Sequence, residues 1–152
     1  MSIARITVLA AAIAVAASSP TNASTDRGSA ADATAMLNRA HAHYLAVGRE
    51  QAMRDFSTRG NGWQDRDLFI FCLDVSGRAL AHGANATLVG RDLSGLRDAD
   101  GKLYVAELLA TGKSGGGWVD YRWANPPHRH VRQESSHVLE FGDDVCGVGV
   151  YR

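Results

Sequence analysis

Tyr121 and Trp123 stand two residues apart in "GGGWVDYRWANPP", where two tryptophans and a tyrosine are packed between a glycine run and a proline pair. On an extended strand, residues two apart share a face, so Val119, Tyr121 and Trp123 form one side and Trp118, Asp120 and Arg122 the other. Downstream, "QESSHV" sets Glu134 and Ser136 two apart as well. If the "ANPPHRHV" loop turns the chain so that Arg132 opposes Trp123, Glu134 falls opposite Tyr121 and Ser136 lies next along the same face. A slip of one residue would turn those partners over. Aromatic walls with a carboxylate and a hydroxyl aimed between them suit a small-molecule pocket. The same aromatics would serve equally as core beneath a helix.

Other chemistries are less well supplied. His128 and His130 in "HRH" share a side of an extended segment and, with His137, offer imidazoles for a transition metal if the loop folds back. They lack a cysteine or carboxylate at close spacing, and no metal site is expected. His41 and His43 sit two apart on a predicted helix, which points them to different sides and toward the surface. Asp98, Asp100 and Gly101 resemble a calcium loop only in part, since the remaining ligand positions and the closing glutamate are missing, so a tight solvated turn is expected. Gly115–Gly117 precedes a strand rather than opening a helix and is no phosphate cradle. There is no serine elbow, catalytic cysteine or carboxylate pair of clear geometry, and the sequence points away from an enzyme. His82, Glu134 and His137 are the set from which a small hydrolytic site would have to be assembled.

These groups need a scaffold, and 152 residues provide one domain with one compact core. Apolar residues recur at helical spacing from Ala30 to about Phe56, with Asp32 as the expected cap and Gly48 as a break. Leu68 to Leu73 is a nearly continuous apolar run, expected to be a strand buried on both faces. Ser76 and Gly77 turn it into a second short strand, Ala79 to His82. Leu103 to about Thr111 has helical spacing, with Gly112 at its end. Trp118 to Trp123, Arg132 to Phe141 and Val145 to Tyr151 form a three-stranded antiparallel meander. The order predicts an α+β domain: a long N-terminal helix packed on a central antiparallel sheet of about five strands, with a crossover helix. Gly147 and Gly149 alternate on the last strand, where close packing of a helix is the preferred reading over space cleared for a ligand.

Sixteen basic and sixteen acidic side chains leave no electrostatic footprint for nucleic acid. Arg5, the apolar run Ile6 to Ala17 and the small residues after it read as an export signal over residues 1–23, cleaved after Ala17 or Ala23, ahead of a single domain over 24–152. A periplasmic or secreted location follows, and with it an oxidising environment in which Cys72 and Cys146 would bridge if their strands are neighbours. Two separately buried thiols are the alternative.

"ALAHGANATLVGRDLSGLRDADGKLYVAELLATGKSGGGWVDYRWANP", followed by "SSHV" and "GVGVY", resembles the single Cache domain family of extracytoplasmic ligand-binding modules. The resemblance covers nearly all of the chain after the leader, including the helix ending in "GREQAMRDFS". It implies a PAS-like fold with a pocket over one sheet face that takes small molecules, often carboxylates. It also implies sensing or solute capture, without catalysis or a cofactor. Tyr121 and Trp123 match pocket-lining positions, and His82 matches the end of the second strand; with Glu134 and Ser136 they make the expected ligand-binding set. Two positions depart from the family pattern. Glu134 stands where a lysine commonly precedes the serine pair, and His137 where a tyrosine is frequent. Two anionic groups in a poorly solvated pocket repel until one takes up a proton, which leaves a protonated amine, a neutral polar molecule, or a carboxylate held by Arg122 or Arg132 as ligand classes. With no output segment after the last strand, the expected role is stand-alone solute sensing or capture, partnering a membrane receptor, kinase or transporter. A metal-binding or protein-interaction adaptor is the alternative, and homodimerisation through the long helix is compatible with the pattern.

Overall fold

The computed structural model describes residues 27–124 and 131–152. The expected leader, His128 and His130 lie outside the described residues.

The chain after residue 27 enters α1 (Ala30–Val47), and Gly48, at φ 83°, breaks it from α2 (Arg49–Ser57). The cap of α1 is Ser29 rather than Asp32. The Ser29 hydroxyl accepts from the Asp32 N–H while the Asp32 carboxylate accepts from the Ser29 N–H, a reciprocal capping box that stabilises a helix start by about 1 kcal/mol. Ala33, Met36, Leu37 and Ala40 form the buried stripe of α1, the i, i+3, i+4, i+7 spacing of one helix face. His41 and His43 are half-buried rather than on the surface: His41 packs on Phe141, and His43 pairs with Asp55 at 2.8 Å beside Trp63.

Six antiparallel strands follow: β1 (Gln64–Asp65), β2 (Leu68–Leu73), β3 (Ala79–His82), β4 (Gly117–Ala124), β5 (Val131–Phe141) and β6 (Asp144–Tyr151). Their order is β1-β2-β6-β5-β4, with β3 paired to β2. The two-residue β1 adds to the five expected strands, and the PAS-like α+β architecture is the one the sequence predicts. The final three strands make the expected meander, with Tyr121 opposite Glu134, Trp123 opposite Arg132 and Val119 opposite Ser136. The segment between β3 and β4 carries a short 3-10 turn (Ala86–Leu88) and α3 (Tyr104–Lys113).

The central strands β2, β5 and β6 divide their residues between two cores. Leu68, Ile70 and Cys72 of β2 and Cys146, Val148 and Val150 of β6 face α1 and α2, where Phe56, Phe141 and Trp63 complete a dry cluster. Fully burying side chains of this size stabilises by roughly 1.5–3 kcal/mol each. Cys72 and Cys146 are direct strand partners and are disulfide-bonded. Leu73, Val119, Tyr121, Val138 and Val145 face the other way, beneath Tyr104, Val105 and Leu108 of α3. Gly112 does not end α3: it lies within the helix, buried where an added Cβ would fall 2.4 Å from Val145. That contact lets the helix settle directly on the sheet.

Candidate functional site

The α3-side face of the sheet is only partly filled. Between it and the segment from Ala84 to Leu96 lies a cavity of about 720 Å³, walled by Phe69, Phe71, Tyr104, Tyr121, Trp123 and Tyr151, with His82, Glu134, Arg91 and Asp92 among its polar lining. Its size and its mostly apolar wall with a few polar groups match those of small-molecule sites.

The floor is built by strand alternation. Tyr121 and Glu134 are direct partners on β4 and β5, and Ser136 follows on the same face. The Tyr121 hydroxyl donates to Glu134 Oε1 at 3.0 Å and lies 2.8 Å from Ser136 Oγ. A phenol has one proton to give, so Ser136 donates to Tyr121 and Tyr121 to Glu134, a relay that ends on the carboxylate. Glu134 is 7% exposed. Burial pushes its carboxyl up to about 7, reinforced by the Asp67 charge and opposed by the Tyr121 hydrogen bond. Burial likewise raises the Tyr121 and Tyr104 phenols, which stay protonated and able to donate. Tyr104 stacks on Tyr121 with ring centres 4.5 Å apart, and Trp123 meets Tyr104 edge-on at 5.9 Å.

Room for the Glu134 side chain comes from β6. Gly149 is the strand partner of Ser136, and a Cβ on it would sit 2.5 Å from Glu134 Oε1 and 3.2 Å from Ser136 Oγ. Gly147 does the same for Phe71, whose Cζ would lie 2.6 Å from an added Cβ. The glycine pair therefore makes room for side chains of the cavity wall, and the expected helix contact is not what these positions serve.

His82 stands at the end of β3, stacked on Phe69 at 4.7 Å. Its Nδ1 accepts from the Asn85 N–H at 3.0 Å, which puts the ring proton on Nε2. Burial lowers its pKa to about 4, so the imidazole is neutral near pH 7.

All five expected ligand-binding residues thus fall on one side of the sheet. His82, Tyr121, Trp123 and Glu134 line the cavity, and Ser136 supports Tyr121 from beneath. Of the two arginines suggested for a carboxylate, Arg132 shares the cavity face of the sheet, opposite Trp123, and Arg122 does not. Arg122 is on the opposite face of β4, paired with Asp100 at 2.7 Å, and Arg132 lies over the Tyr151 ring at 5.8 Å. Asp98 and Asp100 belong to a turn in which Asp98 accepts the N–H groups of Asp100, Lys102 and Arg122. His137 faces α1, 3.0 Å from Thr34 Oγ1 and stacked under Trp118. It is therefore separated from His82 and Glu134, and the hydrolytic set is not assembled. Among the described residues no three His, Cys, Asp or Glu side chains converge on a metal-sized site.

Sequence reasoning missed Tyr104, Phe71 and Arg91. The strict alternation of Phe69, Phe71 and Leu73 within β2 was the available signal for Phe71. Both phenylalanines are half-buried, so β2 is sealed on one face and open to the cavity on the other.

Comparison with known proteins supplies a context. The sensor histidine kinase MctS of Rhizobium johnstonii is 34% identical over 88 residues, 57% of this chain and 19% of that protein. The methyl-accepting chemotaxis protein McpP of Pseudomonas putida is 31% identical over 90 residues, 57% of this chain and 16% of that protein. The match thus spans less than a fifth of either relative's length. A chemotaxis protein of Vibrio parahaemolyticus shares the fold at TM-score 0.65 and 19% identity, covering 80% of this chain and 86% of that one. A Cache chemosensory domain solved for its recognition of carboxylic acids superposes at TM-score 0.58 with 26% identity, covering 78% of this chain and 84% of that one. Residues 29–151 match the family described as Single Cache domain 2, and with helix, sheet and roofed cavity in place, the chain belongs to this family of extracytoplasmic sensory domains.

Proposed function

We propose that the domain binds a small organic molecule in the cavity between the sheet and the Ala84–Leu96 segment, and that occupancy is the signal it supplies to a membrane receptor or kinase. The observation that carries this reading is the cavity itself: about 720 Å³, with aromatic walls and one deeply buried carboxyl, Glu134, on its floor. A pocket filled only for stability would close over such a group or pair it, because a buried carboxyl without a countercharge is costly. The solved neighbour that recognises carboxylic acids and the two sensory relatives support small-molecule sensing as the purpose of the cavity.

A thermal-shift screen of the oxidised chain against small carboxylates, amines, amino acids and purines tests it. A ligand that binds only the folded state stabilises by about 2.7 kcal/mol at one hundred times its Kd. Stabilisation should disappear in Ala84→Trp, which fills the cavity from its roof. Stabilisation that persists in that variant, or none across the panel, would remove the reading.

A further inference from the structure

We propose that the ligand is a small organic cation whose ammonium head sits against the Glu134 carboxylate, beside the rings of Tyr104, Tyr121 and Trp123. The proposal rests on the cavity being the ligand site and assigns its charge class.

Four observations lead to it. First, the floor presents an acceptor with no cation of its own: no Lys, Arg or His side chain pairs with Glu134 among the ion pairs of the described residues. Its hydrogen bond comes from a neutral phenol. Second, the relay from Ser136 through Tyr121 ends in a proton donated to Glu134. Donation to a carboxylate favours its charged form, so the network counters part of the burial that raises this carboxyl. Third, Tyr104, Tyr121 and Trp123 form a contiguous ring cluster on the same wall. Ring quadrupoles attract cations, and quaternary ammonium groups are bound by clusters of this kind.

Fourth, the cations near the floor do not pair with it: Arg132, two residues from Glu134 on the same face of β5, lies over the Tyr151 ring at 5.8 Å and makes no ion pair with Glu134. His82 on β3 is held neutral by burial. Arg91 and Asp92, on the segment after the 3-10 turn, are both exposed and opposite in sign. Asp67, which precedes β2, adds a second negative charge near Glu134, and Tyr151 on β6 and Tyr104 on α3 contribute only phenols raised beyond titration near neutrality. An anion entering this floor needs the carboxyl in its protonated form. An ammonium meets one that it stabilises in the ionised form.

Proton linkage separates these cases. Glu134 in the empty cavity takes up its proton at about pH 7, so cation binding below that pH has to displace it. Choline chloride and butylammonium chloride serve as cation probes and sodium butanoate as the anion of matching shape, titrated calorimetrically into the oxidised full chain at pH 5.5, 6.5 and 7.5. Both probe cations keep their charge over this range, so any pH dependence belongs to the protein. Cation affinity should rise roughly twentyfold between pH 5.5 and 7.5, with the gain concentrated below the carboxyl's pKa. In Glu134→Gln, checked for folding by circular dichroism, cation affinity should fall at least tenfold and lose its pH dependence.

Cation binding that is flat with pH, or unchanged in Glu134→Gln, would overturn the assignment. Stabilisation by butanoate alone, tightening as pH falls, would overturn the cation class and leave the cavity as a ligand site. No binding by either charge class, together with silence in the broader screen, would overturn both proposals.

Discussion

One sheet presents two unlike faces, and β6 shows the contrast residue by residue. Cys146, Val148 and Val150 point toward α1 into a mainly apolar cluster, while Gly147 and Gly149 point the other way, under Phe71 and Glu134. The sealed face is covered by α1 and α2 over β2, β5 and β6, and among the described residues no buried side-chain nitrogen or oxygen lacks a partner. The other is roofed by α3 at one end and by the Ala84–Leu96 segment at the other, and both roofs line the cavity. A rigid helix can exclude water along its whole length, whereas a loop roof leaves a void that polar side chains can line. Stability is concentrated on one face, which frees the other to hold a buried carboxyl and a neutral imidazole that weaken the fold.

The largest test of this division breaks the sealed face. The disulfide joins residues 74 apart in sequence, and chain entropy alone assigns a loop of that length about 4 kcal/mol. Cys72→Ala with Cys146→Ala should therefore lower the unfolding free energy by about that much in urea titrations. Ligand affinity, measured well below the melting temperature, should stay within about twofold, because neither cysteine reaches the cavity. A pocket that lost affinity in step with stability would mean the two faces are not independent.

The cavity face should show itself through pH. Glu134 is raised from 4.5 to about 7, so the folded state keeps a proton that the unfolded chain has released, and stability falls as pH rises through that window. The difference corresponds to about 3 kcal/mol. His82 is lowered from 6.5 to about 4, so the unfolded chain takes up a proton that the folded state refuses, and stability falls as pH drops below 6.5. Between about pH 4.5 and 6.5 the two contributions oppose each other and nearly cancel. Removing either group should uncover the other: Glu134→Gln should lose stability toward acid, and His82→Asn should lose it toward neutral pH. Denaturation profiles without these opposite slopes would mean that burial does not set these two protonation states.

What was legible in the sequence follows the same division. Elements governed by local pattern came through: the α1 stripe, the break at Gly48, the β2–β3 hairpin and the register that puts Tyr121 against Glu134. Period-2 alternation leaves few ways to pair strands joined by a loop, and a residue such as Trp123 then carries its neighbours to the correct face. Most of the misread positions depend on a partner distant in sequence. Ser29 rather than Asp32 caps α1 because both roles in a capping box are open to short polar side chains. Gly112 continues α3 because Val145 comes close beneath it. The suggestion of Arg122 for a carboxylate overlooks alternation, which already sets it on the outer face, where Asp100, 22 residues away, pairs with it. Tyr104 drew no notice because helical periodicity counted the aliphatic residues around it, and its importance arises only where α3 meets Tyr121.

The finest test uses neighbouring positions of β6. Gly149→Ala places a methyl 2.5 Å from Glu134 Oε1, so the carboxyl must swing off its hydrogen bond to Tyr121. Overpacking of this kind costs about 1–2 kcal/mol. Val148→Ala, one residue away on the fully buried α1 side, removes two methyl groups and should cost about 2 kcal/mol. The two variants are matched in stability and opposed in function: Gly149→Ala should weaken ligand binding at least tenfold, Val148→Ala should leave it within about twofold. Side-by-side urea titration and calorimetry would check both quantities. Equal ligand affinities in the pair would show that Gly149 is small for packing alone, and that the position of the Glu134 carboxyl does not decide what the cavity holds.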